Sequence, residues 1–574
     1  MRTHNDADTE ARNDHPHQDA EGHGIDDVGG NTVMDYMQQW RARTPHQVWL
    51  RDRKDGAFTD WSWQQAWEEF QPIAAWLEQD FADSGTSIAI LSKNRAHWTL
   101  ADMAILASGH VSIPLFTTLV PDTVEYVLEF TQSKLLVLGE ASNWDAIKPR
   151  LPKGMRVLVL PGVNADTDGL DVVHWADILA RYKNQQARHQ CTPDELFTIP
   201  FTSGTTGLPK GVMQTHQSML IPIERACSLF NTRENPRFLS YLPLAHIAER
   251  AVVWIHSLIC GGTITFNEDL STLVRDMAET KPSYFFGAPR VWELLRQGVI
   301  AKFGSQESLD QALASDRDAT QRKVQQALGL ADTDYLLSAA APTPSSLIDW
   351  YEKLGIVVCE GYGQTEANAL IGNRPDARRI GSIGQAVEGV DVRISEDGEL
   401  MCRAEGLSPG YYKQPDKTAE TFVDGWVKTG DKARVDDDGY YYITGRVKDY
   451  FKTLHGKYVA PPPIEDAFAE HADVEQLCLL GRGYAKTAMV CVLSPAAHEK
   501  PASAVVASLR AQAEKLNAQV EKHARSVEMK LKAQACGGLV LLFAVHCVAR
   551  RISSVKIRIA ERLHKPPEWQ PGAR

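Results

Sequence analysis

An α/β fold with parallel sheets and a β-rich region is what this sequence predicts, and three observations carry it. The chain has 574 residues, more than one hydrophobic core usually serves, so two to four packed units are expected. Short apolar runs such as "SIAILS" (Ser87 to Ser92) and "KLLVLG" (Lys134 to Gly139) follow helical patterns such as "WSWQQAWEEFQPIAAWLEQ". Strands alternating with helices imply parallel sheets covered on both faces. From Gly381 to Thr444 the pattern changes to short runs broken by Gly, Asp and Pro, with "EDGE" and "DDGY" reading as hairpin turns.

Taken in order, residues 1 to about 30 are polar, acidic and His-rich, with little to bury, and read as a disordered extension. The first strands and helices follow. The stretch 293 to 330 is mostly helix-forming and reads as a helical excursion from the sheet. The β-rich region ends near "GRVKD", where separately patterned segments begin, so a boundary falls there. No repeat of 20 to 50 residues is visible.

The formal net charge of −12 argues against non-specific nucleic-acid binding while leaving room for a locally basic anion pocket. Nine cysteines without a C-x-x-C pair suggest neither a disulfide framework nor a zinc knuckle and fit a reducing cytoplasm. The N-terminus lacks a signal-peptide pattern. The longest uncharged apolar window, "ACGGLVLLFAV" near residues 535 to 545, is well short of the roughly 20 residues a spanning helix needs, so no transmembrane segment is expected.

The stretch "FTIPFTSGTTGLPKGVMQTH", Phe197 to His216, sets a loop of small and hydroxyl residues between an extended apolar run and a helix-like one. It is not a Walker loop, because Gly204 and Gly207 are too close and Lys210 precedes Gly211 rather than Ser or Thr. Small residues still leave backbone N–H groups free to wrap an anion. Thr202, Ser203, Thr205 and Thr206 add hydroxyl donors, and Lys210 adds a charge, which suits a polyphosphate. A flexible Ser/Gly linker would need neither the lysine nor the flanking strand-like run.

With "CEGYGQTE" (Cys359 to Glu366), "WVKTGD" (Trp426 to Asp431) and "GRVKDYFKT" (Gly445 to Thr453) following in this order and spacing, the chain resembles the adenylate-forming superfamily of acyl-CoA synthetases, luciferases and peptide-synthetase adenylation domains. The resemblance spans roughly residues 35 to 525, and "SAAAP" (Ser338 to Pro342) and "GSIGQAVEGVDVRI" (Gly381 to Ile394) also fall in place. It implies the adenylate-forming enzyme fold: an N-terminal domain over 31–445 with parallel sheets and a β-rich subdomain, and a smaller mobile C-terminal α/β lid over 446–574.

The resemblance also assigns roles. The loop Thr202, Ser203, Gly204, Thr205, Thr206, Gly207 and Lys210 would hold pyrophosphate. Gly361, Tyr362, Gly363, Gln364 and Thr365 would line the nucleotide, with Thr365 on the α-phosphate and Tyr362 offering adenine an aromatic face. Ala339 and Ala340 would close its other side, in a segment that is more often glycine-rich in the family. Asp431 would accept from the ribose hydroxyls, Arg446 would contact ribose or phosphate, and Lys448 would be the hinge of the lid. Mg²⁺, which takes one or two protein oxygens beside phosphates, would sit on Glu366, with the Thr205 hydroxyl as the lesser candidate. Thr206, Glu366 and Lys556 take the catalytic roles, and Gly456 would let the pantetheine arm of CoA pass close to the backbone.

"YLPLAHIAER" and "GAPRVWELL" resemble the long-chain fatty acyl-CoA synthetase branch and put His246 and Trp292 near the acyl tunnel. The expected substrates are ATP, a fatty acid and CoA, handled in the cytoplasm with peripheral contact at the inner membrane face. Two alternatives stand beside this: adenylation of an aryl or other acid for a carrier protein, and an acyl- and nucleotide-binding protein impaired in adenylation. The second arises from the tail after about 526, where only "SSVKIRIAERL" matches the family and supplies Lys556. Either that tail has diverged or the reading frame changes near residue 525.

Overall fold

The computed structural model describes residues 30–54, 56–202, 208–230, 232–452, 454, 458–459, 461, 464–465, 468, 471–482, 487–519 and 540–542. The extension before residue 30, the loop residues Ser203 to Gly207, Gly456 and Lys556 lie outside the described residues.

Two nine-stranded sheets form the large N-terminal part. In one, strand Ser87–Leu91 is flanked in parallel by Val111–Leu115 and Leu135–Leu138, and every residue of the three is buried. Burial on both faces is why these strands read as unbroken apolar runs rather than as alternating ones. In the other sheet, Val48–Lys54, Thr263–Phe266, Arg237–Ser240, Tyr284–Gly287, Tyr335–Ser338 and Val358–Gln364 run parallel side by side. The "WSWQQ" pattern becomes helix Trp63–Asp80, started by a reciprocal cap in which Ser62 and Gln65 each bond the other's backbone N–H. The largest apolar core joins residues of both sheets, from Ile88 and Phe197 to Phe238 and Leu337.

The stretch 293 to 330 is helical, covered by Pro289–Phe303, Gln306–Ser315 and Arg317–Leu328. The turn-rich region forms a five-stranded sheet in which Val390–Ile394 pairs with Glu399–Ala404 and Trp426–Val435 with Tyr441–Arg446. Both expected hairpin turns place a glycine at positive φ, Gly398 at 79° and Gly439 at 82°, a backbone conformation that other residues adopt only with strain.

From Phe451 onward the apolar residues gather in a cluster of their own, including Phe468, Leu479, Cys491 and Leu509. A small sheet orders Val474–Leu480, Ala488–Leu493 and Val540–Leu542 antiparallel, so part of the apolar window near residue 540 serves as its third strand. Among the described residues, no helix is long and apolar enough to cross a membrane.

One local expectation is corrected. The run after the glycine-rich loop is a strand first, Lys210–Thr215, and turns helical only at His216–Leu229. Lys210 pairs with Thr202 and Gly211 with Phe201, so the loop closes a β-hairpin and does not open a helix. An anion beside Lys210 would meet its charge at the start of a strand, without a helix dipole behind it.

Candidate active site

A cleft of about 550 Å³ opens where the two large sheets and the β-rich sheet meet. Its polar wall is built from turns and strand ends. Thr202 and Lys210 stand at the mouth of the first hairpin. Strands Val358–Gln364 and Ala367–Gly372 form a second hairpin with Thr365 and Glu366 at its tip. Ala339 and Ala340 follow the carboxyl end of the parallel strand Tyr335–Ser338, where open α/β sheets bind their ligands.

The tip is held firmly. Gln214 donates to the Thr365 carbonyl at 2.5 Å and itself accepts from the Ser218 hydroxyl at 2.7 Å. The Ser408 N–H donates to the Glu366 carbonyl at 3.1 Å, and the Tyr411 hydroxyl donates to Glu366 Oε1 at 2.6 Å. Lys210 Nζ lies 4.4 Å from the centre of the Tyr411 ring. Burial pushes the Lys210 ammonium below its ordinary value, and the Glu366 charge opposes that shift. Burial and Glu366 raise Tyr411, so its hydroxyl stays protonated and remains a donor.

A second polar group sits on the β-rich sheet. Strand pairing sets Asp431 opposite Arg446; Arg446 Nε reaches Asp431 Oδ1 at 3.1 Å, and the Tyr362 hydroxyl donates to Oδ2 at 2.6 Å. Burial lifts the Asp431 carboxyl above its usual value, against Tyr362 and Arg446, which favour its charge. Each carboxylate oxygen retains a lone-pair site, so two ribose hydroxyls can still be accepted. The same bond fixes the orientation of the Tyr362 ring beside Gly361, where a Cβ would meet the Leu337 side chain at 2.8 Å. Ala340 has φ 71°, the left-handed conformation that glycine adopts without penalty, which accounts for the glycine-rich form expected at this segment.

The opposite wall is apolar. Ile223 and Phe230 come from helix His216–Leu229 and its end, Ala251 and Val252 from a π-helical turn, Phe286 from the strand Tyr284–Gly287, and Leu337 from Tyr335–Ser338. The π-helical turn Arg250–Ile255 is tied down by a fully buried ion pair between Arg250 and Asp102, with Arg250 Nη1 also donating to the Thr198 hydroxyl at 2.6 Å. Burial works against both charges, and the rings of Trp98, Phe197 and Trp254 around the guanidinium help to offset that.

Of the expected residues, the structure brings Thr202, Lys210, Ala339, Ala340, Gly361 through Glu366, Arg446, Lys448 and His246 to this one cleft, with Asp431 directly behind Arg446 and Tyr362. His246 caps the short helix Ile247–Glu249, its Nδ1 accepting from the Ala248 N–H at 3.1 Å, and burial lowers its imidazole below the ordinary value. Trp292 is not brought there. It is fully buried in a second core against Phe285 and Tyr351, with Nε1 donating to the Gly287 carbonyl at 3.0 Å, because its helix Pro289–Phe303 turns that face inward.

Gln214 and Tyr411 were not singled out from the sequence. Neither carries reactive chemistry alone, and only strand pairing sets them beside Thr365 and Glu366. Outside the cleft, His189, Cys191 and Glu195 cluster within metal-ligand reach, yet His189 is bonded to Glu195 and the Cys191 thiol donates to the Leu106 carbonyl, so the cluster is satisfied by protein alone.

The donor set suits a magnesium-bound nucleotide: the Glu366 carboxylate, the Thr202 and Thr365 hydroxyls and the Lys210 ammonium stand at one wall. Comparison with known proteins agrees. Residues 37–412 match the AMP-binding enzymes, and 448–535 match the AMP-binding enzyme C-terminal domain. The long-chain-fatty-acid–CoA ligase FadD15 of Mycobacterium tuberculosis is 30% identical over 485 residues, covering 78% of this chain and 79% of its own. The long-chain-fatty-acid–CoA ligase ACSBG2 of Gallus gallus is 25% identical over 607 residues, covering 96% and 78%. Among solved structures, the adenylation domain of a carboxylate reductase from Mycobacterium chelonae superposes with a TM-score of 0.74 at 22% identity, over 93% of this chain and 91% of that one. The anthranilate CoA ligase AuaEII with anthranoyl-AMP gives 0.72 at 21%, over 87% and 93%. At such identities these two structures speak to the fold, while the sequence match over 37–412 covers well over half of the chain: it belongs to the AMP-binding enzymes and is an enzyme of the AMP-forming ligase family.

Proposed function

We propose that the protein activates a long-chain fatty acid with ATP through an acyl-AMP and transfers the acyl group to CoA, giving acyl-CoA, AMP and pyrophosphate. The observation that carries this is the continuity of the cleft: the polar wall of Lys210, Thr365 and Glu366 and the apolar wall of Ile223, Phe230, Ala251 and Val252 face one space. An acid whose carboxylate lies at the polar wall would run its chain along the apolar one. The long-chain ligases among the relatives support the same substrate class.

In the first half-reaction an acid oxygen attacks the α-phosphorus and the bond to the β-phosphate oxygen breaks, releasing pyrophosphate. Lys210 would neutralise charge on the departing phosphates, Thr365 would bond the α-phosphate, and Tyr362, Asp431 and Arg446 would hold the nucleoside. Glu366, assisted by Thr205, would hold Mg²⁺, which would supply positive charge to the phosphates when bound. In the second half-reaction the CoA sulfur attacks the acyl carbon and AMP leaves, its departure eased because it is a far weaker base than oxide. Lys448 would be the hinge between a body over 31–445 and a lid over 446–574 whose two orientations serve the two halves. Gly456 would flank the CoA arm, and Lys556 would act in the first orientation. The cytoplasm, with peripheral contact at the inner membrane face, is the proposed working place.

The test is ATP–pyrophosphate exchange over a panel of medium- and long-chain fatty acids, an aryl acid and an amino acid, followed by CoA addition. Exchange and thioester formation with the long-chain acids are expected. Exchange only with the aryl acid would replace the substrate class, and ATP binding without any exchange would favour the adenylation-impaired reading.

A further inference from the structure

We propose that Tyr411 is a positioning residue that sets both charged groups of the polar wall at once, its hydroxyl aiming the Glu366 carboxylate and its ring seating the Lys210 ammonium. The inference rests on the adenylation reading above and deepens it.

The geometry is built from the backbone outward. Strand Gly410–Tyr411 lies along the edge of Lys210–Thr215, with Tyr411 opposite Val212 and Gly410 opposite Met213. That register puts the tyrosine two residues from Lys210 along the partner strand. Its own backbone is fixed on both sides, the N–H donating to Thr418 Oγ1 at 2.9 Å and the carbonyl accepting from the Gln414 N–H at 3.1 Å. The ring is nearly inaccessible, at 4% exposure, and packs edge-on against Phe422. A side chain so confined has one rotamer to offer.

From there the hydroxyl reaches Glu366 Oε1 at 2.6 Å, while Ser408 of the same segment holds the Glu366 backbone carbonyl. A carboxylate gripped through one oxygen and its own backbone presents the other oxygen, Oε2, in a fixed direction. Outer partners of this kind set the orientation of a metal-binding group and account for a large part of its affinity. The ring face does separate work. With Lys210 Nζ 4.4 Å from its centre, it holds the ammonium by cation–π attraction without supplying a counter-charge that would compete with phosphate.

The two roles come apart by substitution. Tyr411→Phe keeps the ring and deletes the hydroxyl; Tyr411→Leu deletes both. The direct readout is Mn²⁺ retention by the full chain with an α,β-methylene ATP analogue, followed by loss of the free-ion EPR signal. Tyr411→Phe is expected to weaken Mn²⁺ binding by about 10- to 100-fold. In a Glu366→Gln background the same change should cost almost nothing more, because the group it aims is gone. Tyr411→Leu, checked for a parent-like thermal melt, should in addition raise the half-saturating pyrophosphate concentration in exchange, whereas Tyr411→Phe should not. Parent-like Mn²⁺ binding by Tyr411→Phe, or an equal loss in both backgrounds, overturns the inference while leaving the adenylation reading intact. No Mn²⁺ retention by the parent itself removes the site, and the inference with it.

Discussion

The polar wall of the cleft takes its side chains from hairpin tips and strand ends, few of them fully buried, whereas the apolar wall is cut from the main core and hung on charges that never see water. Lys210 and Glu366 are half-exposed and are oriented by the neighbouring Tyr411. Ala251 and Val252 belong to a turn anchored by Arg250 and Asp102, both at 0% exposure. The difference teaches that one wall is free to be tuned for charge at little risk to folding, while the other cannot be altered beneath its surface without disturbing the body itself.

That contrast can be broken most forcefully at Asp102. Removing one partner of a buried pair leaves the other charge stranded, so Asp102→Ala should cost about 3–5 kcal/mol in chemical unfolding. A loss below about 1 kcal/mol, the range of an exposed pair, would mean that the apolar wall is not hung on this contact. Lys210→Ala and Glu366→Ala should show the opposite pattern. Each should slow pyrophosphate exchange by about 10²–10³-fold, equivalent to about 2.7–4 kcal/mol of transition-state stabilisation, with an unfolding midpoint close to the parent's. Large destabilisation there would show that the polar wall also carries the fold.

Next comes a pH test of the same anchor region. Glu249, beside Arg250, is fully buried, and burial pushes its carboxyl from an ordinary 4.5 up to about 8, against bonds from Ser240, Tyr241 and Leu242. The native state therefore holds a proton that the unfolded chain releases, so this group's contribution to stability falls as pH rises from about 4.5 and levels off above about 8. Glu249→Gln cannot ionise. Its unfolding midpoint should gain on the parent's as pH is raised through that window, and parallel curves would refute the assignment. A smaller effect is expected inside the cleft, where Ala251→Phe fills apolar space. It should turn selectivity from longer towards shorter acids by about 10- to 200-fold, with the KM for ATP unchanged. An equal rise in both KM values would show that the walls do not act separately.

The same contrast decides what was legible in the sequence. "TSGTTGLPK" and "GYGQTE" are contiguous, and each concentrates residue types that serve phosphate and metal chemistry, so the polar wall could be read directly. The apolar wall is scattered from Ile223 to Leu337, and each of its members reads as ordinary core. His246 reached the cleft and Trp292 did not, since a tryptophan on an amphipathic helix packs wherever the inward face points. The strand Lys210–Thr215 reads as helix-like in sequence because its fate is set by pairing partners outside it, Phe201–Thr202 on one part and the distant Gly410–Tyr411 on another. Tyr411 escaped notice for the same reason.

The smallest effect concerns Ala340, where the polar wall departs from the glycine-rich form expected there. At φ 71° its Cβ crowds the following carbonyl oxygen, a strain of roughly 1–2 kcal/mol in the folded state. Ala340→Gly removes that strain but gives the unfolded chain more freedom, costing roughly 0.5–1 kcal/mol in return. The difference is a net stabilisation of up to about 1.5 kcal/mol, read as a higher urea midpoint at an unchanged slope. Because Ala340 is exposed and follows a buried strand, the change should leave the apolar wall, and the acyl selectivity proposed for it, unaltered. Any kinetic change should fall on the KM for ATP, through a looser flank for the base. A shift in acyl selectivity on Ala340→Gly would show that the two walls communicate across the cleft and are not independent.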